Sequence, residues 1–280
     1  MKTLADTDLC GLLRTCGADD AAPAARVRQL APPHAVQLET SLALLMARGG
    51  IVRMPPVQRW ALLEAALLAP RPSLAFETLR QHRVLAVLVP ELPALFGVPQ
   101  LSAEREWQDV GEHQWRFIDE TAAAAAPIES RFAALVHKLG KAGTPSEIWP
   151  SHYRYEQRTQ AALEALARRV ELPAAALAFA RLAVDELDHL HAVHDLRAGP
   201  IAQLLHRLLA RRQPERFEQL LALAACDWAA YCGRRDAPYP KAARLRLALQ
   251  AASAVDTQGL ADDDALQAQA RAIHAALRPR

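Results

Sequence analysis

The stretch Arg131-Phe132-Ala133-Ala134-Leu135-Val136-His137-Lys138-Leu139-Gly140-Lys141 decides how this chain is read. Phe132, Leu135, Val136 and Leu139 recur at i, i+3, i+4 and i+7, the spacing of an amphipathic helix with one apolar face. Gly140 and Gly143 end that helix. Pro145 and Pro150 then hold the segment Thr144-Pro145-Ser146-Glu147-Ile148-Trp149-Pro150, up to Ser151-His152, out of regular structure. A histidine therefore falls in the last turn of a buried helix and is followed at once by a lysine.

Outward from this centre the same helical period recurs. Val36, Leu38, Leu42, Leu45 and Met46 predict a helix closed by Gly49-Gly50. Pro55-Pro56 opens another with Trp60, Leu63, Leu67 and Leu68 inward and Pro70 at its end. Ser73 caps a third carrying Phe76, Leu79 and Leu85. The breaker-rich Val89–Pro99 reads as a connector and domain boundary. A long helix is predicted from about Glu104 to Ala126, carrying His113, Trp115, Phe117 and Ile118. Helices over about 154–171, 174–196, 200–212, 214–232 and 240–253 follow, with one or two terminal turns after Asp262-Asp263-Asp264. Ala and Leu dominate, β-branched residues are few and no period-2 run stands out, so the fold class is all-α.

Composition narrows the class further. At 280 residues and 51% hydrophobic the chain can bury a sizeable core. No apolar run approaches the ~18 residues of a membrane span, so no membrane partner is expected. Asp6 and Asp8 spoil a signal-peptide start. Cys10, Cys16, Cys226 and Cys232 do not have zinc-knuckle spacing; so few cysteines point to reduced thiols in a cytoplasmic protein. A net charge of +2 leaves any nucleic-acid surface to local clustering.

Residues Leu85 to Pro99, which include VLVPELPALFGVP, and Arg131 to His152, RFAALVHKLGKAGTPSEIWPSH, are long and idiosyncratic. With Ala180-Arg181-Leu182 and Asp236 to Lys241 (DAPYPK), they give a resemblance to the neck, HD and tail regions of bacterial CCA-adding tRNA nucleotidyltransferases. The resemblance runs from about Val36 to about Val255. It implies an N-terminal extension at 1–35, neck-like helices at 36–99, a degenerate HD-like domain at 100–198 and tail helices at 199–280. Family members begin with a nucleotidyltransferase head that has a Gly-Ser turn and two metal-binding aspartates. About 35 residues precede the neck here, and the sequence contains no Gly-Ser pair. Asp6-Thr7-Asp8 is a D-x-D by letter but lacks a strand and a phosphate-holding loop; it reads as a polar helix start.

The resemblance also carries the HD site over residue by residue. The family's first His matches His113, its His-Asp pair matches His137-Lys138, and its His-rich stretch matches His152-Tyr153-Arg154-Tyr155-Glu156. Its second His-Asp matches Leu187-Asp188. Lysine in the aspartate's place is a cation with no lone pair to offer, and it repels a metal more strongly the lower the local dielectric. The expectation is a pseudoenzyme in which Lys138 fills the metal's place and pairs with Asp188, with no cofactor.

A second constellation lies on the helix that carries Asp188: Asp185/His189 and His191/Asp195 are i, i+4 pairs, a spacing that can share a metal, with His194 beside them. It reads as a solvated polar face with one residue reaching the pocket. Trp60, Trp107, Trp115, Trp149 and Trp228 are expected in the core or at interfaces.

The tail holds nine basic residues between Arg207 and Arg246, against four acidic ones. They are Arg207, Arg211, Arg212, Arg216, Arg234, Arg235, Lys241, Arg244 and Arg246. Arg207 and Arg211 are spaced to share a helix face with room for phosphates, although an ordinary solvated face has the same pattern. Three functions follow. The first is a non-catalytic, headless relative that binds tRNA or another structured RNA, or a partner protein. The second is a residual phosphohydrolase or phosphodiesterase on nucleotide or RNA 2′/3′ phosphates, using His113, His137 and Asp188 with a divalent metal. The third is a tail subunit completing a separate nucleotidyltransferase head.

Overall fold

A computed structural model describes residues 8–17, 32–101, 107–194, 196–233, 235 and 237–278. Expectations on Leu4, Asp6, Thr7, most of the Asp19–Pro33 stretch, Glu104, Asp195, Arg234, Asp236 and the terminal Pro279-Arg280 fall outside the described residues. Among those described, fourteen α-helices and one two-stranded sheet make up the regular structure, and the fold is all-α with a single small hairpin. Backbone contacts divide the chain into two compact units, Met1–Val184 and Asp185–Arg280.

In the first unit, α1 (Leu9–Arg14) is capped by Asp8, whose carboxylate accepts from the Gly11 N–H at 2.8 Å. It packs on α4 (Pro56–Leu67). Between them lie α2 (Pro32–Ala47), with Leu38, Leu42 and Leu45 buried on one face, and α3 (Gly50–Arg53). Gly49 sits in the left-handed region, as a helix-closing glycine does. Trp60, Leu63 and Leu67 of α4 are buried as expected, while Leu68 is the exposed cap residue.

The third expected helix divides. Its parts are α5 (Pro72–Gln81) and α6 (Val84–Leu88), because Arg83 takes a left-handed conformation between them. Ser73 does not cap α5. Pro72 occupies the first turn, and the backbone N–H and hydroxyl of Ser73 both donate to the carboxylate of Asp119, at 2.9 and 2.6 Å.

The long helix expected from Glu104 is also corrected. β1 (Pro99–Leu101) pairs antiparallel with β2 (Trp107–Asp109), and α7 (Val110–Ala123) begins only after them. Asp109 sets that start, because its carboxylate accepts from the Glu112 N–H at 2.9 Å. α8 (Ile128–Val136) then packs against α7 and α4. The Trp60 and Phe132 rings meet edge-on at 5.5 Å, joining α4 to α8. α9 (Tyr155–Arg169) and α10 (Ala174–His191) follow, α10 running past Val184 into the second unit's residues.

The second unit continues with α11 (Ala198–Arg207), α12 (Pro214–Cys232), α13 (Ala242–Ser253) and α14 (Asp262–Ala276). Ile201, Leu204, Leu205 and Leu208 face the core at helical spacing, as do Leu245, Ala248 and Ala252. α14 packs on α11 and α13 and runs fifteen residues, well beyond the one or two turns expected. α11 stops at Arg207, short of the expected 212. Leu208 caps it and Leu209 has φ of 52°. Arg207 and Arg211 therefore do not share a helix face.

Candidate functional site

The quoted stretch ends its helix earlier than its glycines suggest. α8 stops at Val136, His137 is the cap residue, and a 3-10 turn runs over Leu139–Lys141. Gly140 allows this turn to sit on the start of α9. A Cβ there would lie 2.1 Å from the Tyr155 carbonyl oxygen and 2.5 Å from the Thr159 nitrogen. The Gly140 N–H donates to the Thr159 hydroxyl at 2.9 Å, and Arg158 Nε donates to the Gly140 carbonyl at 2.9 Å. The two nearest atoms are backbone, so no larger residue fits by a neighbour's side chain rotating away.

Around this turn the sequence-matched residues are sealed. His113, His137, Lys138 and His152 are each no more than 1% exposed. The imidazoles of His113 and His137 both pack on Phe117, at ring-centre distances of 6.1 and 5.2 Å. His152 Nε2 meets the Pro99 carbonyl at 2.7 Å, which fixes that nitrogen as the N–H donor. Burial holds the His152 pKa below the ordinary value, the Pro99 carbonyl partly opposes this, and the charges of Lys141 and Arg158 add to it. Lys141 is buried too. Its ammonium donates to Gln100 Oε1 at 2.9 Å and lies 4.7 Å from the centre of the Tyr155 ring. The hairpin, the His152 loop and the 3-10 turn are thus tied together by polar contacts.

Leu187 and Asp188 belong to the second unit, Leu187 buried and Asp188 exposed. Of the neighbouring constellation, Asp185, His189 and His194 are exposed. His191 turns inward: its Nε2 lies 3.0 Å from a carboxylate oxygen of buried Asp227, and its Nδ1 lies 2.9 Å from the Tyr239 hydroxyl. Burial, with Asp227 nearby, pushes the Tyr239 pKa up. Lys241 donates to the His191 carbonyl. These contacts bind the segment before α13 onto α10 and α12.

A divalent ion requires several N or O donors with one position left open. Among the described residues no group of three or more His, Cys, Asp or Glu side chains is arranged to hold one. Lys138, where the resemblance calls for the bridging carboxylate, offers an ammonium instead. The residues present do not fit the metal of an HD site.

The tail basic residues separate into two sets. Arg207 forms a two-pronged ion pair with Glu186 at 2.7 and 2.8 Å, and Arg246 pairs with Glu218 at 2.6 Å. Arg216 donates to Gln213 at 3.2 Å, and Arg244 reaches the Leu196 carbonyl at 3.5 Å. Arg211 and Arg212 stand apart. They line an open cleft of about 570 Å³ formed by the end of α11, the end of α13 with its following loop, and α14. Arg211 makes only a long contact to the Val255 carbonyl, at 3.5 Å. Arg212 has no side-chain partner among the described residues. Trp60 and Trp115 are core residues, whereas Trp107 is 66% exposed and Trp149 37% exposed.

Sequence reasoning missed the hairpin, the His191–Asp227–Tyr239 chain and the cleft. One signal for the cleft was present: Asp262, Ala265, Leu266 and Gln269 fall at i, i+3, i+4 and i+7.

No family model matches the chain. Curated proteins do: the chain belongs to the family of proteins named multifunctional CCA protein. It is 37% identical over 217 residues to the one from Cupriavidus necator, covering 78% of this chain and 53% of that protein. It is 38% identical over 235 residues to the Cupriavidus taiwanensis protein, covering 83% and 56%. With the Burkholderia mallei protein it shares 38% identity over 221 residues, covering 78% and 54%. The chain thus spans about half the length of the curated relatives it matches. Among the described residues no helix is long and apolar enough to cross a membrane.

Proposed function

We propose that this chain binds structured RNA, tRNA foremost, through its C-terminal helices, and that its HD-like pocket is a packed remnant without catalytic function. In this reading residues 36–99 act as a neck, 100–198 as a non-catalytic body and 199–280 as an RNA-holding tail. The observation that carries it is the pair Arg211 and Arg212, two guanidiniums open to an approaching phosphate while Arg207 and Arg246 are engaged by carboxylates. Kinship with the multifunctional CCA proteins supports tRNA as the RNA. Lys138, buried where a metal ligand would stand, supports the loss of hydrolysis.

The test is a titration of labelled tRNA at several salt concentrations. Phosphate contacts release counterions, so affinity should fall steeply with salt, with a slope of about −0.7 to −0.9 per phosphate neutralised. An unstructured RNA of equal length should bind more weakly, because helical surfaces read RNA shape. Absence of binding at low salt would overturn the proposal and direct attention to a protein partner. Metal analysis of the purified protein supplies the second arm. Stoichiometric divalent ion in the wild type would favour the phosphohydrolase reading, whereas none in the wild type and one in Lys138→Asp with Leu187→His would support a silenced site.

A further inference from the structure

The cleft at the end of α11 has a chemistry more specific than a basic patch. We infer that it takes a single unstacked nucleotide, with the phosphate on Arg211 and Arg212 and the base between Leu209 and Leu266, and that guanine is the base it favours. The inference rests on the RNA-binding proposal and names the part of the RNA that this surface would hold.

Three features carry it. The volume, about 570 Å³, lies within the ~300–1,000 Å³ of pockets that enclose small organic ligands. The lining pairs two chemistries: the guanidiniums of Arg211 and Arg212 lie with Leu209 on the turn after α11, Leu205, Ala252, Ala265 and Leu266 of α11, α13 and α14 give apolar wall, and His206 and Thr257 add polar groups. A guanidinium presents a planar fork of donors that suits phosphate oxygens, and an apolar wall suits the face of a base. The third feature is the polar edge of the α14 face. Asp262 and Gln269 flank Leu266 at helical spacing on that face, so both border the surface on which a base would lie.

The carboxylate decides which base. Asp262 can only accept hydrogen bonds, and it takes part in no ion pair among the described residues. Guanine presents its N1–H and N2 amino group side by side, two donors matched to two carboxylate oxygens. Uracil presents one N–H flanked by two carbonyls, which the carboxylate repels. Cytosine and adenine each offer one amino group, and so fall between these cases. Asp262 also opposes the phosphate charge, so inorganic phosphate alone should be held poorly.

The experiment uses the full chain at low salt. GMP, UMP and inorganic phosphate are titrated by calorimetry, and labelled tRNA by fluorescence. GMP should bind at least tenfold more tightly than UMP or phosphate, and Asp262→Asn should reduce the GMP/UMP ratio several-fold. Leu266→Trp, which fills the cleft, should abolish GMP binding and weaken tRNA at least tenfold. Arg212→Ala, an exposed change that leaves packing intact, should weaken both ligands and keeps the test valid if Leu266→Trp misfolds. Salt-dependent tRNA binding unaffected by Leu266→Trp, with GMP and UMP equal, would overturn the nucleotide site and leave the RNA proposal standing. GMP binding without tRNA binding would do the reverse.

Discussion

The two basic regions of this molecule use the same side-chain types to opposite ends. Around Gly140, the cations Lys141 and Arg158 are turned onto Gln100, a tyrosine face and backbone carbonyls. Around Leu209, Arg211 and Arg212 border open space. Burying a charge costs free energy unless it is engaged, and the first region engages Lys141 and Arg158 with protein groups. The second leaves its guanidiniums exposed at the cleft rim. Counting positive charges along the sequence cannot separate these cases, because partners decide them.

The contrast can be broken most directly at Gly140. Gly140→Ala places a methyl group against the backbone of α9, and we expect a loss of about 3 kcal/mol in a denaturant or thermal melt, the upper range for overpacking. Little change in the midpoint would mean that the turn is not locked onto α9. At temperatures where the variant stays folded, tRNA affinity should be unchanged.

The converse change lies in the cleft. Arg211→Ala with Arg212→Ala should weaken tRNA binding by about 10–100-fold and flatten the salt slope by up to about two units if each contacts one phosphate. Arg207→Ala and Arg246→Ala should leave affinity within about twofold, since both guanidiniums are held by carboxylates. Arg207→Ala should cost on the order of 1 kcal/mol of stability, allowing for its partial exposure. Equal losses of binding from all four substitutions would erase the distinction between engaged and open arginines.

The smallest expected effect is a pH dependence in the sealed region. The folded-state pKa of His152 lies below its unfolded value near 6.5, so the unfolded chain takes up the proton first as pH falls. Stability present above that value is lost as pH falls through it towards the folded pKa. His152→Gln should flatten this part of the stability profile between about pH 7 and 5. An unchanged profile would show that His152 does not drive it.

Much of the fold was legible in the sequence. The i, i+3, i+4 pattern through Phe132 and Leu135, and the Pro56 start, marked helices that exist. What escaped had no local signal. Nothing at Leu208-Leu209 breaks a helix by composition, yet α11 ends there, so Arg211 and Arg212 move from a helix face to a cleft rim. The hairpin before α7 escaped because its strands are three residues each, too short for an alternating pattern. Ser73 carried the right residue type for a cap, but a carboxylate from distant Asp119 performs the role. His113, His137 and His152 were identified by likeness of pattern; their common burial follows only from packing on Phe117 and Pro99.

The Tyr239 hydroxyl has a consequence for the timing of local opening. It reaches His191 across the loop between α12 and α13, and the amides of Ala242 and Leu245 are hydrogen-bonded to the Tyr239 and Lys241 carbonyls just behind it. A loop held only by its own turn would exchange its amide hydrogens by small, frequent openings. Here release of these amides requires Tyr239 to leave its imidazole partner, a group that is itself bound to Asp227 in α12. The start of α13 should therefore exchange in step with α10 and α12, as one cooperative opening unit, and Tyr239→Phe should uncouple it.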